Sequence, residues 1–105
     1  MAGLDEALTA YGKSDFKTAA REFQKLAKQG NAKAQYILGL MYRQGQGVQQ
    51  DHVQAHLWLS LAAASGEKGA IKFRDLLAAK MTASQIEEAQ RLARAWSAQH
   101  AKERK

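Results

Sequence analysis

Residues 34–66 read AQYILGLMYRQGQGVQQDHVQAHLWLSLAAASG, and the spacing within this stretch decides the fold. Ala34, Leu38, Met41 and Tyr42 recur at helical period on one face, with Gly39 in the middle of that face. A glycine inside a helix costs roughly 0.5–1 kcal/mol relative to alanine. The compensation it implies is close approach by a neighbouring helix. After the turn, Ala55, Leu59, Ala62 and Ala63 form a second stripe of small and apolar residues flanked by Trp58, and Gly66 stands where a left-handed C-terminal cap is expected. Two helices sharing an apolar face across a glycine-punctuated turn are the unit of a helical repeat.

The unit recurs. Asp15 and Asp51, Ala19 and Ala55, Gly30 and Gly66, and Ala34 and Ala70 are each 36 residues apart, a period characteristic of stacked helix-turn-helix arrays. Tyr11 aligns with Tyr42 once five residues are taken out of the first turn. The first repeat therefore turns tightly at Gly12-Lys13-Ser14, and the second carries the longer loop.

In the order Ala34, Leu38-Gly39, Tyr42, Gly45-Gln46-Gly47-Val48, Asp51, Ala55, Trp58, Ala62-Ala63 and Gly66, the chain resembles the Sel-one-like repeat family, relatives of tetratricopeptide repeats. Gln49 departs from the proline common at that place, which leaves the turn without a rigidifier. The resemblance implies an all-α fold, a short right-handed α-solenoid of about three antiparallel helix-turn-helix repeats built from six helices. The expected division is a single domain over residues 1–98, with repeats at about 3–30, 31–66 and 67–98, followed by a basic tail at 99–105.

Composition agrees with this class. The chain has 105 residues, no cysteine and no proline, so disulfides and thiolate metal sites are excluded and no segment favours a strand. No apolar run approaches the roughly 20 residues of a membrane-spanning helix. MAGLDEAL at the N-terminus reads as a mature start behind an added methionine, and many members of the resembled family are exported. Export is accordingly expected if a signal peptide precedes this sequence natively, and a cytoplasmic location otherwise.

The helices follow from local signals. The first is expected over about 3–11 with Leu4, Ala7, Leu8 and Tyr11 inward. The second starts at a Ser14 or Asp15 cap and ends at Gly30, burying Phe16, Ala19, Ala20, Phe23, Leu26 and Ala27. Asn31 caps the third. The fifth spans about 68–79. Thr82 and Gln85 form a capping box for the sixth, which carries Ile86, Ala89, Ala93 and Trp96 at helical spacing and a Glu87–Arg91 pair. The polar residues from Ser97 onward are expected to fray at their end.

Function is read from what the faces present. No nucleophile motif, carboxylate pair or cofactor loop is evident, so no catalytic residue and no cofactor is expected. The Gly45-Gln46-Gly47 pair lacks the strand and the further residues of a phosphate loop. His52 and His56 stand four apart on one helix without a third ligand, and the bland reading, two structural histidines, is preferred to a metal site.

The formal charge of +6 points to an acidic or anionic partner. Lys17, Arg21, Lys25 and Lys28 make a basic stripe on the second helix, read first as a solvated outer face and alternatively as a patch for an anionic partner or nucleic acid. No stacking aromatic is interleaved with it. By resemblance to tetratricopeptide grooves, the inner helices would present Asp5, Lys33, Tyr36, Leu40, Arg43 and Lys72 to a peptide or partner protein, a mixture suited to an acidic or C-terminal segment. The expected function is thus a protein-interaction module, monomeric or weakly self-associating, with an unidentified partner.

Overall fold

The computed structural model describes residues 3–103, and these form α1 (Leu4–Gly12), α2 (Phe16–Lys28), α3 (Ala32–Gln44), α4 (His52–Ala64), α5 (Ala70–Ala78) and α6 (Ala83–Glu103). No strand occurs among the described residues. The first two and the last two positions of the sequence, including Arg104 and Lys105 of the expected tail, lie outside them.

Each boundary has a local cause. Asp15, Asn31 and Asp51 accept hydrogen bonds from the backbone amides of Thr18 (3.4 Å), Ala34 (2.9 Å) and Gln54 (3.0 Å), which satisfies one orphan donor at the start of α2, α3 and α4. Thr82 and Gln85 cap α6 reciprocally, with the Thr82 amide donating to Gln85 Oε1 at 2.9 Å and the Gln85 amide to Thr82 Oγ1 at 3.1 Å. At the other ends, Gly30, Gly45 and Gly66 adopt φ of 97°, 72° and 87°, the left-handed geometry that terminates a helix.

The repeats pack as the 36-residue period requires, α1 on α2, α2 on α3 and α3 on α4. Gly39 lets α3 and α4 approach closely. A Cβ there would sit 2.8 Å from Leu59 Cγ and 3.2 Å from the Ala55 carbonyl oxygen, so only a hydrogen fits. The longer turn of the second repeat folds back on the first. A Cβ on Gly47 would overlap the Phe16 carbonyl, and Tyr11 Oη donates to Gln46 Oε1 at 3.3 Å. Gln35, 1% exposed, donates its amide to the Ala27 carbonyl at 3.1 Å and so ties α3 to the end of α2.

α4 is the axis of the second half. Ala55, His56, Leu57, Trp58, Leu59, Leu61 and Ala62 are all buried, because α3, α5 and α6 each pack against it. α5 and α6 scarcely touch one another; they flank α4 on different sides. Leu92, Ala93 and Trp96 of α6 join the core around Trp58, whereas Phe73 of α5 joins the cluster of Ala55, Leu59, Ala62, Ala70 and Leu77.

Two local expectations are corrected. Residues 97–103 are the last turns of α6 rather than a tail, held by His100, whose ring stacks on Trp96 at 4.5 Å between centroids and lies over Gly30. Arg91 pairs with Glu88 at 2.7 Å instead of Glu87, an i to i+3 contact that is also available on one helix face.

Candidate partner-binding face

Lys33, Tyr36, Leu40 and Arg43 lie at helical spacing along one side of α3, and α5 crosses beside them. The Tyr36 and Phe73 rings are 6.2 Å apart, and the Arg43 guanidinium sits 5.4 Å from the centre of the Phe73 ring, within the range of a cation–π contact. Gly69, at φ 88°, leaves room for the Tyr36 hydroxyl, which a Cβ would approach to 3.1 Å. Leu40 packs into the α4–α5 cluster. Lys33 and Lys72 are exposed.

The structure thus gathers five of the six residues read from the sequence on α3 and α5. Asp5 is placed elsewhere. It is exposed on α1 and lines a separate depression of about 330 Å³ with Glu6, Thr9, Lys13 and Asp15.

Phe73, placed between Tyr36 and Arg43, is the hub of this face. Leu76, 50% exposed, lies one helical step around α5 from Phe73 and adds an apolar point. Where the face meets the α3–α4 turn, Arg43, Gln44, Gln50, His52, Leu77 and Lys80 line an open basin of about 400 Å³. Gln50 is fixed there by donating its side-chain amide to the Arg43 carbonyl at 2.9 Å. Lys80 carried no signal in the sequence, since it follows the end of α5 and belongs to no helical face.

The basic stripe on α2 is electrostatically different. Glu22 stands among its members, 3.6 Å from Arg21 and 3.7 Å from Lys25. These exposed pairs add little stability, yet they cancel part of the stripe's charge. Arg43, Lys33, Lys72 and Lys80 make no ion pair among the described residues.

The two histidines of α4 occupy unlike surroundings. His52 lines the basin. His56 is 4% exposed, with Nδ1 3.3 Å from the Ser60 hydroxyl, and its pKa is held below the ordinary 6.5 by burial, with the Arg74 charge acting in the same direction and Asp75 opposing. Among the described residues no group of three or more metal-ligating side chains converges.

A pH dependence follows for His56. The unfolded chain binds a proton there more readily than the native one, so the stability its neutral form contributes is complete above about pH 6.5 and is lost as pH falls below that value. Urea midpoints are expected to drop between about pH 7.5 and about pH 5.5, and His56→Gln is expected to shrink that drop. An unchanged dependence in the variant would assign it to other groups.

Comparison with known proteins gives a consistent picture. The model of the Sel1 repeat matches residues 32–67. Among solved structures, the chain is similar to c5321, a protective antigen present in uropathogenic Escherichia coli strains and displaying an SLR fold, with a TM-score of 0.76 and 32% identity. The match covers 84% of this chain and 19% of that one, so the chain spans about a fifth of the larger protein. No curated protein matches significantly.

Proposed function

We propose, on the premise that the chain is a Sel1-like repeat protein, that it binds a partner protein or peptide across the α3–α5 face and catalyses no reaction of its own. Repeats of this kind commonly serve as protein–protein interaction scaffolds and are generally non-catalytic. The observation that carries the choice of face is the contrast in charge. Lys33, Arg43 and Lys72 stand on the two helices that carry the Tyr36–Phe73 aromatic pair and make no ion pair among the described residues, whereas the α2 stripe contains Glu22. An aromatic centre with an unpaired cationic rim is the composition of a recognition surface for an acidic segment.

The test is crosslinked capture of the partner in the native organism, with charge reversals made singly and together. Lys33→Glu, Arg43→Glu and Lys72→Glu in combination are expected to reduce capture at least tenfold, while Lys17→Glu with Lys25→Glu leaves it unchanged. The opposite result would move the interface to the α2 stripe. Binding of random duplex DNA that falls steeply with salt and depends on Lys17 and Lys25 would favour an anionic partner there instead.

A further inference from the structure

The basin at the corner of α3, α4 and α5 holds three basic side chains from three parts of the chain, and its chemistry is narrower than that of the face it adjoins. Arg43 comes from the last turn of α3, His52 from the first position of α4, and Lys80 from just beyond α5. Gln44 and Gln50 add amide donors, and Leu77 closes the floor. No Asp or Glu is among the residues lining it.

Asp75 on α5 is paired with Arg74 at 3.1 Å, and Asp51, next to His52 in the chain, has its carboxylate committed to capping, accepting from the Gln54 amide at 3.0 Å. It lines a different depression, together with Gln24, Lys28 and Trp58. The first turn of α4, where His52 stands, contributes the positive end of a helix dipole. Arg43 is oriented by the Phe73 ring, so its planar fork is partly ordered in advance of binding. At about 400 Å³ the basin exceeds what a single ion needs and suits a short side chain bearing one.

We infer that this corner is a carboxylate-binding subsite, taking the acidic group of a peptide segment that lies across the α3–α5 face. Arg43 supplies the paired donors, Lys80 a point charge, and Gln44, Gln50 and His52 the remaining N–H groups. The carboxylate belongs either to an Asp or Glu side chain or to a chain terminus, which offer the same oxyanion. The inference rests on the α3–α5 reading of the partner face and adds to it the chemical class that the corner selects.

Three synthetic hexapeptides separate the sources: acetylated, amidated hexaglutamate; its hexaglutamine counterpart; and hexaglutamine with a free C-terminal carboxylate. Each is titrated into the isotopically labelled full chain at low salt and followed by backbone amide resonances. Saturable shifts at Gln44, Gln50, His52 and Lys80 are expected with hexaglutamate and not with amidated hexaglutamine. Arg43→Gln and Lys80→Gln are each expected to weaken binding about tenfold, the effect of losing one charge-assisted hydrogen bond, and Lys17→Gln to leave it unchanged. Lys80 is exposed, so its variant reports on the site without disturbing the Phe73 contact.

Shifts only with the free-carboxylate peptide would support the subsite and assign it to a chain end. Shifts centred on α2, equal weakening by Lys17→Gln, or no shifts with any peptide would overturn it. If the peptides fail while partner capture stays sensitive to Lys33→Glu and Lys72→Glu, the carboxylate subsite falls and the α3–α5 face stands.

Discussion

Trp58→Ala is expected to lower the unfolding free energy by about 3–5 kcal/mol, the range for removing a large aromatic from a packed site, and to loosen α6. Trp58 is 5% exposed, and its ring meets that of Trp96 edge-on at 6.0 Å between centroids. It therefore contributes both its own burial and the anchor for the last helix, an aromatic pair adding about 0.5–1.5 kcal/mol beyond area. Because α6 packs on α4 and scarcely on α5, no second hairpin contact can replace that anchor. Urea denaturation gives the energy, and hydrogen exchange of the α6 amides gives its location. A loss under about 1 kcal/mol, a surface-like cost, with full protection of α6, would show that the Trp58–Trp96 contact does not hold the helix.

Leu38→Ala carries the second large effect, about 2–5 kcal/mol. Leu38 is fully buried in the cluster that joins α2, α3 and α4, so truncation removes apolar contact and leaves a cavity in a core that cannot collapse freely. Its neighbour Gly39 is already pressed against Leu59 and the Ala55 carbonyl, which prevents α4 from moving further toward α3 to fill the space. A cost below about 1 kcal/mol in denaturant melts would place Leu38 outside the core. Both substitutions lie away from Lys33, Arg43 and Lys80. The folded fraction should accordingly retain partner and peptide binding, and the binding variants should retain near-native stability.

Much of the fold was legible because its signals are local. The caps at Asp15, Asn31, Asp51 and Thr82, the left-handed glycines at 30, 45 and 66, and the stripe through Ala34, Leu38 and Met41 are each made by residues a few positions apart. What escaped was set at a distance. His100 stacks on Trp96 and seats against Gly30, so residues that looked like a polar tail are helical. α4 was read as having one apolar stripe, yet it is buried nearly all round. The sequence HVQAHLWLSLAAA already held that signal, since a helix apolar on most sides needs neighbours on most sides.

The candidate site divides the same way. Lys33, Tyr36, Leu40 and Arg43 share one helix, so spacing alone places them on one side. Lys72 and Asp5 depend on how other helices dock, and only Lys72 lies on a helix beside α3. Phe73 and Lys80 could not be selected from spacing, because their importance comes from α5 lying against α3.

By itself the sequence determined the helices, their 36-residue pairing through the second repeat, and the all-α repeat class, because capping, glycine conformation and apolar periodicity act within a turn or two of the chain. Tertiary structure alone decided that α5 and α6 flank α4 without pairing and that Arg43, His52 and Lys80 meet in one basin. The physical reason is that convergence depends on the separations between residues far apart in the chain, and only the packing of one helix on another sets those separations.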